Sequence, residues 1–257
     1  MTFDELVDII ARLRSEQGCP WDKEQTHKSI VPYLMEEVYE IIESIDEGNP
    51  SKLKEELGDV LFQLLFFAQM SKEDGHFDIY DVVEVIGKKM VFRHPHVFGD
   101  AVFETSDEVL RQWEERKKEE GRQSLLSGVP SSAPSLLRAY RVQQRASGVG
   151  FDWQKTDEVF EQFAEELGEF RKALADKDSG AIEDELGDLL FTLVNLSRFV
   201  KVNPENALRR TINRFQRRFE HIEKTALQQG TDLSAMSLEE MNRLWDEAKE
   251  MHRHETP

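Results

Sequence analysis

The sequence predicts an all-α protein made of two tandem copies of one helical-bundle unit, each with a four-helix-type metal-binding core. Three observations predict it. Apolar residues recur at spacings of three and four almost throughout, and no run alternates as a strand would. Glu, Leu, Lys and Arg are abundant, with only 8 Pro and 14 Gly in 257 residues, a balance that favours helix. One acidic pattern also occurs twice. Glu36-Glu37-Val38-Tyr39-Glu40 with Glu56-Leu57-Gly58-Asp59 returns as Glu165-Glu166-Leu167-Gly168-Glu169 with Glu185-Leu186-Gly187-Asp188, both parts offset by 129 residues.

The elements follow in order. Phe3, Leu6, Val7, Ile10 and Leu13 mark a helix over 3–17, ended by Gly18 and Pro20. Residues 21–28 read as a structured loop. A second helix runs from Ser29 to Asp46, with Pro32 tolerated in its first turn. Gly48 stops it. Asn49 caps the third helix, Pro50 to Lys72, with Pro50 at its first position. A fourth covers 78–92 and stops before His94-Pro95-His96, where both histidines read as helix-stop residues rather than metal ligands. Ser106 or Asp107 caps a further helix to Glu120. Gly121 to Ser135, with Gly128, Pro130 and Pro134, reads as a linker. Beyond it, helices are expected over 135–146, 156–175, 180–201, 204–229 and 237–252.

The repeat reaches past the acids. Trp21-Asp22-Lys23 is echoed by Trp153-Gln154-Lys155, and Trp113-Glu114-Glu115-Arg116-Lys117 by Trp245-Asp246-Glu247-Ala248-Lys249, each 132 residues on. The offset falls to 125 between Arg93 and Arg218, as small loop deletions would produce. The period is too long for a solenoid. The expected organisation is an N-terminal domain 1–120, a linker 121–135 and a C-terminal domain 136–257.

Composition sets limits on partners. A net charge of -18 argues against nucleic acid and anionic membranes as partners, and makes a cation the natural intermediary to any phosphorylated ligand. The longest apolar run, Val60 to Met70, is broken by Gln63 and Gln69 and is too short to span a bilayer. Met1 to Gln17 lacks the apolar stretch of a signal peptide. The single cysteine, Cys19, reads as a packed residue of the Gly18-Cys19-Pro20 turn and suits a reducing compartment. A soluble cytoplasmic protein is expected.

The acids read as more than a solvated face. Glu37 and Glu40 share a helix face, as do Glu56 and Asp59. Glu40 with Glu56, and Glu37 with Asp59, are symmetric about Gly48. Glu169 with Glu185, and Glu166 with Asp188, are symmetric about Lys177. In an antiparallel hairpin these pairs stand at matching heights on helices about 8–10 Å apart, where unscreened carboxylates repel. Packing around Leu57, Leu61 and Leu64 would have to oppose that repulsion. Either the acids hold protons or a cation sits among them, and an all-oxygen set favours Mg²⁺, with Mn²⁺ possible. Neither copy has the Glu-x-x-His of a di-iron bundle. Gly58 and Gly187, inside helices at a cost of about 1 kcal/mol each, point the same way.

This constellation resembles the MazG family of nucleoside triphosphate pyrophosphohydrolases, in the all-α NTP pyrophosphatase superfamily. The resemblance also runs through Gly18-Cys19-Pro20-Trp21-Asp22, Arg93-His94-Pro95-His96-Val97-Phe98 and Gly150-Phe151-Asp152-Trp153. It implies Mg²⁺-dependent hydrolysis of nucleoside triphosphates to a monophosphate and pyrophosphate on helical bundles that dimerise, for cleansing the nucleotide pool or controlling stress nucleotides. It implies metal ligands at Glu37, Glu40, Glu56 and Asp59, and at Glu166, Glu169, Glu185 and Asp188. Glu36 and Glu165 border those faces and are the candidates for activating water. Arg214, Arg217 and Arg218 on one helix suit fork contacts to phosphate, with Lys88, Lys89 and Arg93 in the corresponding place of the N-terminal copy. Lys117 and Lys118 are further candidates for phosphate, and Trp245 for stacking on a base. The denser arginine set makes the C-terminal copy the expected principal catalyst. The competing readings are a narrower dUTP or dCTP pyrophosphatase and a regulatory nucleotide- or metal-binding bundle without hydrolysis.

Overall fold

The chain enters its first helix through a reciprocal cap. In α1 (Phe3–Arg14), Thr2 Oγ1 accepts from the Glu5 N–H at 3.2 Å and Glu5 accepts from the Thr2 N–H at 2.7 Å. The helix ends three residues earlier than its apolar spacing suggests. The chain folds back at Gly18, whose place admits no side chain because a Cβ would lie 2.1 Å from the Leu13 carbonyl oxygen. The computed structural model describes residues 1–105, 108, 109, 112, 113, 116 and 124–251. The segment expected as a loop holds a short helix, α2 (Pro20–Glu24), because Pro20 at its first position is preset for helix. Then come α3 (Val31–Asp46), α4 (Pro50–Glu73), α5 (Ile79–Arg93) and the single turn α6 (Pro95–Phe98). Pro95 likewise opens α6, directly after the His94 that caps α5. The helix expected from Ser106 or Asp107 to Glu120 lies mostly outside the described residues.

The second half contains α7 (Ser135–Ser147), α8 (Thr156–Asp176), α9 (Ser179–Phe199), α10 (Pro204–Gln229) and α11 (Leu238–Met251), with a 3-10 turn at Leu233–Ala235. No strand occurs among the described residues. The chain forms two units, Met1–Lys117 and Lys118–Pro257. Each is built on one antiparallel hairpin, α3–α4 and α8–α9, the most extensive helix pairing of its unit.

The two hairpins turn in the same way. Gly48 has φ +62° and Lys177 φ +56°, so both pivots are left-handed. Glycine adopts that region freely, whereas lysine adopts it at a cost. Asn49 Oδ1 then accepts from the N–H groups of Ser51 and Lys52, both at 3.2 Å. Asp178 Oδ1 does the same for Gly180 at 3.1 Å and Ala181 at 3.2 Å.

In the first unit Ile10, Ile30, Leu65, Phe66, Met70 and Ile79 form the core. Arg14 closes its edge. Its guanidinium takes both carboxylate oxygens of Glu73 at 2.8–3.0 Å, donates to the Gln25 carbonyl at 3.3 Å and lies 5.1 Å from the Phe66 ring centre. Burial pushes the Glu73 carboxyl up, but its bonds to Arg14 and Gln69 outweigh that and hold it below the usual range. In the second unit Val159, Leu189, Val194, Ile222 and Leu244 are buried, and Gln143 Nε2 donates to the Phe191 carbonyl at 2.8 Å. Arg198 pairs with Asp152 through both oxygens and with Asn195 at 2.8 Å. Arg145 donates to the Gly128 carbonyl at 3.2 Å and to that of Ser127, fastening these residues to α7.

The expected packing of Leu57, Leu61 and Leu64 is only partly realised. Leu61 joins the core edge, while Leu57 is 53% and Leu64 49% exposed. Leu57 and Leu64 share a helix face with Leu61, but only Leu61 is reached by the core of this unit.

The pivots give a direct test of this geometry. Lys177→Gly is expected to stabilise the protein by about 0.5–1 kcal/mol, and Gly48→Ala to destabilise it by about 1 kcal/mol. Thermal unfolding of the two variants against the parent measures both signs.

Candidate metal centre

Residues spaced at four, three and four along a helix form one stripe. On α3 the stripe facing α4 is Tyr33, Glu37, Glu40 and Ser44. On α8 it is Gln162, Glu166, Glu169 and Ala173. Small side chains stand nearest the turn, with Ser44 1% and Ala173 6% exposed. They let the helices close on each other there, and the acids occupy the next two layers.

Three carboxylates meet in each hairpin. Glu37, Glu56 and Asp59 bring oxygens within 4.8 Å of one another, and so do Glu166, Glu185 and Asp188. These are the two groups of three acid, histidine or cysteine side chains with such proximity among the described residues. Glu40 stands beside the first group, close enough to Glu37 and Glu56 to act on both electrostatically. Glu169 is exposed and stands close enough to Glu185 to act on it electrostatically, without joining the trio. Glu36 and Glu165 are exposed beside the acid stripe and outside both trios.

Crowding changes the acids' proton affinity. Burial, then the charges of Asp59, Glu40 and Glu56, hold Glu37 above the usual carboxylate range. Burial, then Glu40 and Asp59, raise Glu56. Burial, then Glu169, Asp188 and Glu166, raise Glu185. In the C-terminal copy Glu185 Oε2 is buried without any hydrogen-bond partner. Such an oxygen is costly unless a cation or donor reaches it. A hard cation with oxygen ligands fits this donor set.

Some neighbours are not evident from the acidic motif. Gln162 Nε2 donates to Glu166 Oε1 at 2.7 Å. Gln63 and Thr192, symmetric to Tyr33 and Gln162 about the two pivots, are buried at 8% and 7% exposure and floor the acids on the side away from the turn. Extending the symmetry one layer outward would have found all of them. Gly58 and Gly187 have a different standing. A Cβ there would meet nothing within 4 Å, so no contact of this chain requires glycine. Both glycines are exposed.

The cationic candidates sit elsewhere. Arg218 lies 5.3 Å from the Trp245 ring centre and Phe215 5.0 Å from it, so Trp245 is sandwiched on α10. Arg214 donates to Thr211 Oγ1 at 2.9 Å, and Arg217 is exposed. Arg93 lies 5.6 Å from the Trp113 ring, so the same Arg–Trp pair forms in both units. Lys88 is paired with Glu84, and Lys89 is exposed. Lys117 and Lys118 lie outside the described residues. In the second unit α10 packs on α7 and α11, while α9 packs on α7 and α8. The arginine helix therefore does not lie along the acid hairpin of its own chain. His94 Nδ1 meets the Met90 carbonyl at 2.7 Å and its ring abuts Trp113 at 4.8 Å, a capping and packing role.

The profile of the MazG nucleotide pyrophosphohydrolase domain matches residues 25–98 and again 154–223. The chain belongs to the MazG family. The two matches contain both hairpins and their acids. A nucleoside triphosphate pyrophosphohydrolase/pyrophosphatase MazG of Thermotoga maritima is 45% identical over 250 residues, covering 96% of this chain and 95% of its own. A nucleoside triphosphate pyrophosphohydrolase of Escherichia coli strain K12 is 43% identical over 256 residues, covering 96% and 97%. A solved MazG-related protein from Thermotoga maritima aligns at 28% identity over 45% of this chain and 98% of its own, with a TM-score of 0.39. No helix among the described residues of this MazG chain is long and apolar enough to cross a membrane.

The raised acids predict a pH signature. A carboxyl with elevated affinity in the folded state contributes stability below the ordinary carboxylate range and loses it as pH rises through its folded value. In metal-free protein, Glu56→Gln and Glu185→Gln are therefore expected to melt higher than the parent at neutral pH. Calorimetry at descending pH should show that advantage shrinking as the parent's carboxyls protonate.

Proposed function

We propose that this chain hydrolyses nucleoside triphosphates to a nucleoside monophosphate and pyrophosphate with Mg²⁺, and that Mn²⁺ can replace it. The observation that carries the reading is the paired arrangement of Glu166, Glu185 and Asp188, with the unpartnered Glu185 Oε2, repeated as Glu37, Glu56 and Asp59. The names of its relatives support the substrate class. Glu169 and Glu40 complete the two ligand sets.

The cation, when bound, neutralises phosphate oxygens and acidifies a coordinated water. The chain supplies the rest. Glu166 and Glu185 approach from opposite helices, so the hairpin fixes their separation before any ligand arrives. Glu165, exposed at the border of the stripe, takes the proton of the attacking water, and Glu36 does so in the N-terminal copy. Arg214, Arg217 and Arg218 bind the polyphosphate, with Trp245 presenting its ring to the base. Arg93, Lys88 and Lys89 are their counterparts, and Lys117 and Lys118 add charge from the segment that follows. The linker spans 121–135, between domains 1–120 and 136–257.

The active form is a homodimer. Leu186, Leu190, Phe191 and Leu193 of α9, and Ile212, Phe215 and Phe219 of α10, are all exposed in the single chain. Uncovered apolar stripes of this length call for a partner. A second chain would also bring basic helices toward the acid hairpins. The acidic enzyme acts in the cytoplasm on free nucleotides, with neither nucleic acid nor membrane as partner, and cleanses the pool or controls stress nucleotides.

The test is a panel of canonical, deoxy and damaged nucleotides with Mg²⁺, assayed for pyrophosphate. Pyrophosphate with the monophosphate is expected. Inorganic phosphate alone, or tight metal-dependent binding without release, would overturn the reading. Glu169→Ala is expected to lower kcat/KM on the order of 100-fold, and Glu40→Ala far less. Gly187→Ala should raise metal-free stability by up to about 1 kcal/mol while lowering turnover, because the methyl fills space beside Asp188. Sedimentation of the parent should give twice the chain mass.

A further inference from the structure

The two copies share their acids but differ one helical turn away. In the C-terminal copy that position is Gln162, half-buried on α8. Its side-chain amide donates to Glu166 Oε1 at 2.7 Å. In the N-terminal copy it is Tyr33, whose ring is turned to Trp21, centroid to centroid 5.8 Å at 75°. A phenol engaged with an indole offers no amide N–H to Glu37. The nearest influence on Glu37 from its own helix is instead the like charge of Glu40.

We propose that Gln162 is a positioning residue that pre-orients Glu166, making the C-terminal hairpin the tighter of the two divalent-cation sites. The inference rests on the reading of these acids as a metal centre. A glutamate loses several rotatable bonds of freedom when it becomes a ligand, and a bond made beforehand removes part of that cost. Gln162 is neutral, so it restrains Glu166 without cancelling the charge that attracts the cation. An amide N–H also occupies only part of one oxygen's accepting capacity. Donors behind a metal ligand act in this way, and their loss weakens metal affinity about 10–100-fold. The partner across the hairpin is already suited to a cation, since Glu185 Oε2 is buried and unpartnered. The N-terminal hairpin has the same backbone and acids without this restraint.

The experiment uses the full chain and Mn²⁺, whose aqueous electron paramagnetic resonance signal is lost on binding. Glu56→Gln leaves the C-terminal site to be titrated alone, and Glu185→Gln leaves the N-terminal one. In the first background Gln162→Leu is expected to weaken Mn²⁺ binding about tenfold, with metal-free melting unchanged. In the second, Tyr33→Gln is expected to tighten Mn²⁺ binding, a gain that impaired folding does not produce. Unchanged Mn²⁺ affinity in a folded Gln162→Leu chain, or no gain from Tyr33→Gln, would overturn the proposal. If the Glu56→Gln chain takes up no Mn²⁺ at all, the metal-centre reading itself fails.

Discussion

Both halves of this protein depend on holding like charges close together. Each hairpin sets carboxylates from two antiparallel helices within 4.8 Å. Water would separate them, and the surrounding structure keeps them in place. Tight left-handed turns at Gly48 and Lys177 fix the register of the two arms. Small buried residues, Ser44 and Ala173, draw the helices together next to the turn. Gln63 and Thr192 close the far side. The raised proton affinity of Glu37, Glu56 and Glu185 is the direct consequence of that confinement. A cation among the acids would relieve that repulsion, in a chain whose net charge is -18.

Duplication has kept this constraint and relaxed what surrounds it. The acids, the pivot geometry and the Arg–Trp pairs, Arg93 with Trp113 and Arg218 with Trp245, are present twice. The supports differ. The first unit is tied at its edge by Arg14 bridging Glu73 and the backbone after α2, and the second by Arg198 with Asp152. Tyr33 and Gln162 differ at the layer bordering the acids. The same acid hairpin thus stands on different supports, with the register of the helix pair kept in both. Uncovered apolar side chains are a second shared property, with Val83 and Ile86 on α5 of the first unit and Leu190 and Phe215 on α9 and α10 of the second.

Much of the fold was legible in the residues. Helix bounds agree to within a few positions where a cap or proline marks them, as at Asn49-Pro50, Asp78 and Asn203-Pro204. The reading fails where one residue acts in two directions. Pro20 and Pro95 read as helix stops, yet each opens a short helix, so α2 and α6 are hidden in a loop and a helix stop. Leu57 and Leu64 read as packing around the acids, yet only Leu61 on the same face is covered by the core.

The symmetry of the acids about two residues was a property of the sequence alone, because position along a helix determines height in a hairpin. So was the membership of both copies in one pattern. The tertiary structure decided how near the acids come and which of them join. It left Glu40 beside the first trio and Glu169 beside the second, each acting on its neighbours by charge. It also paired arginine with tryptophan, and gave Glu166 a partner in Gln162 that Glu37 lacks. Those outcomes depend on rotamers and on burial by distant segments, which spacing along the chain does not encode.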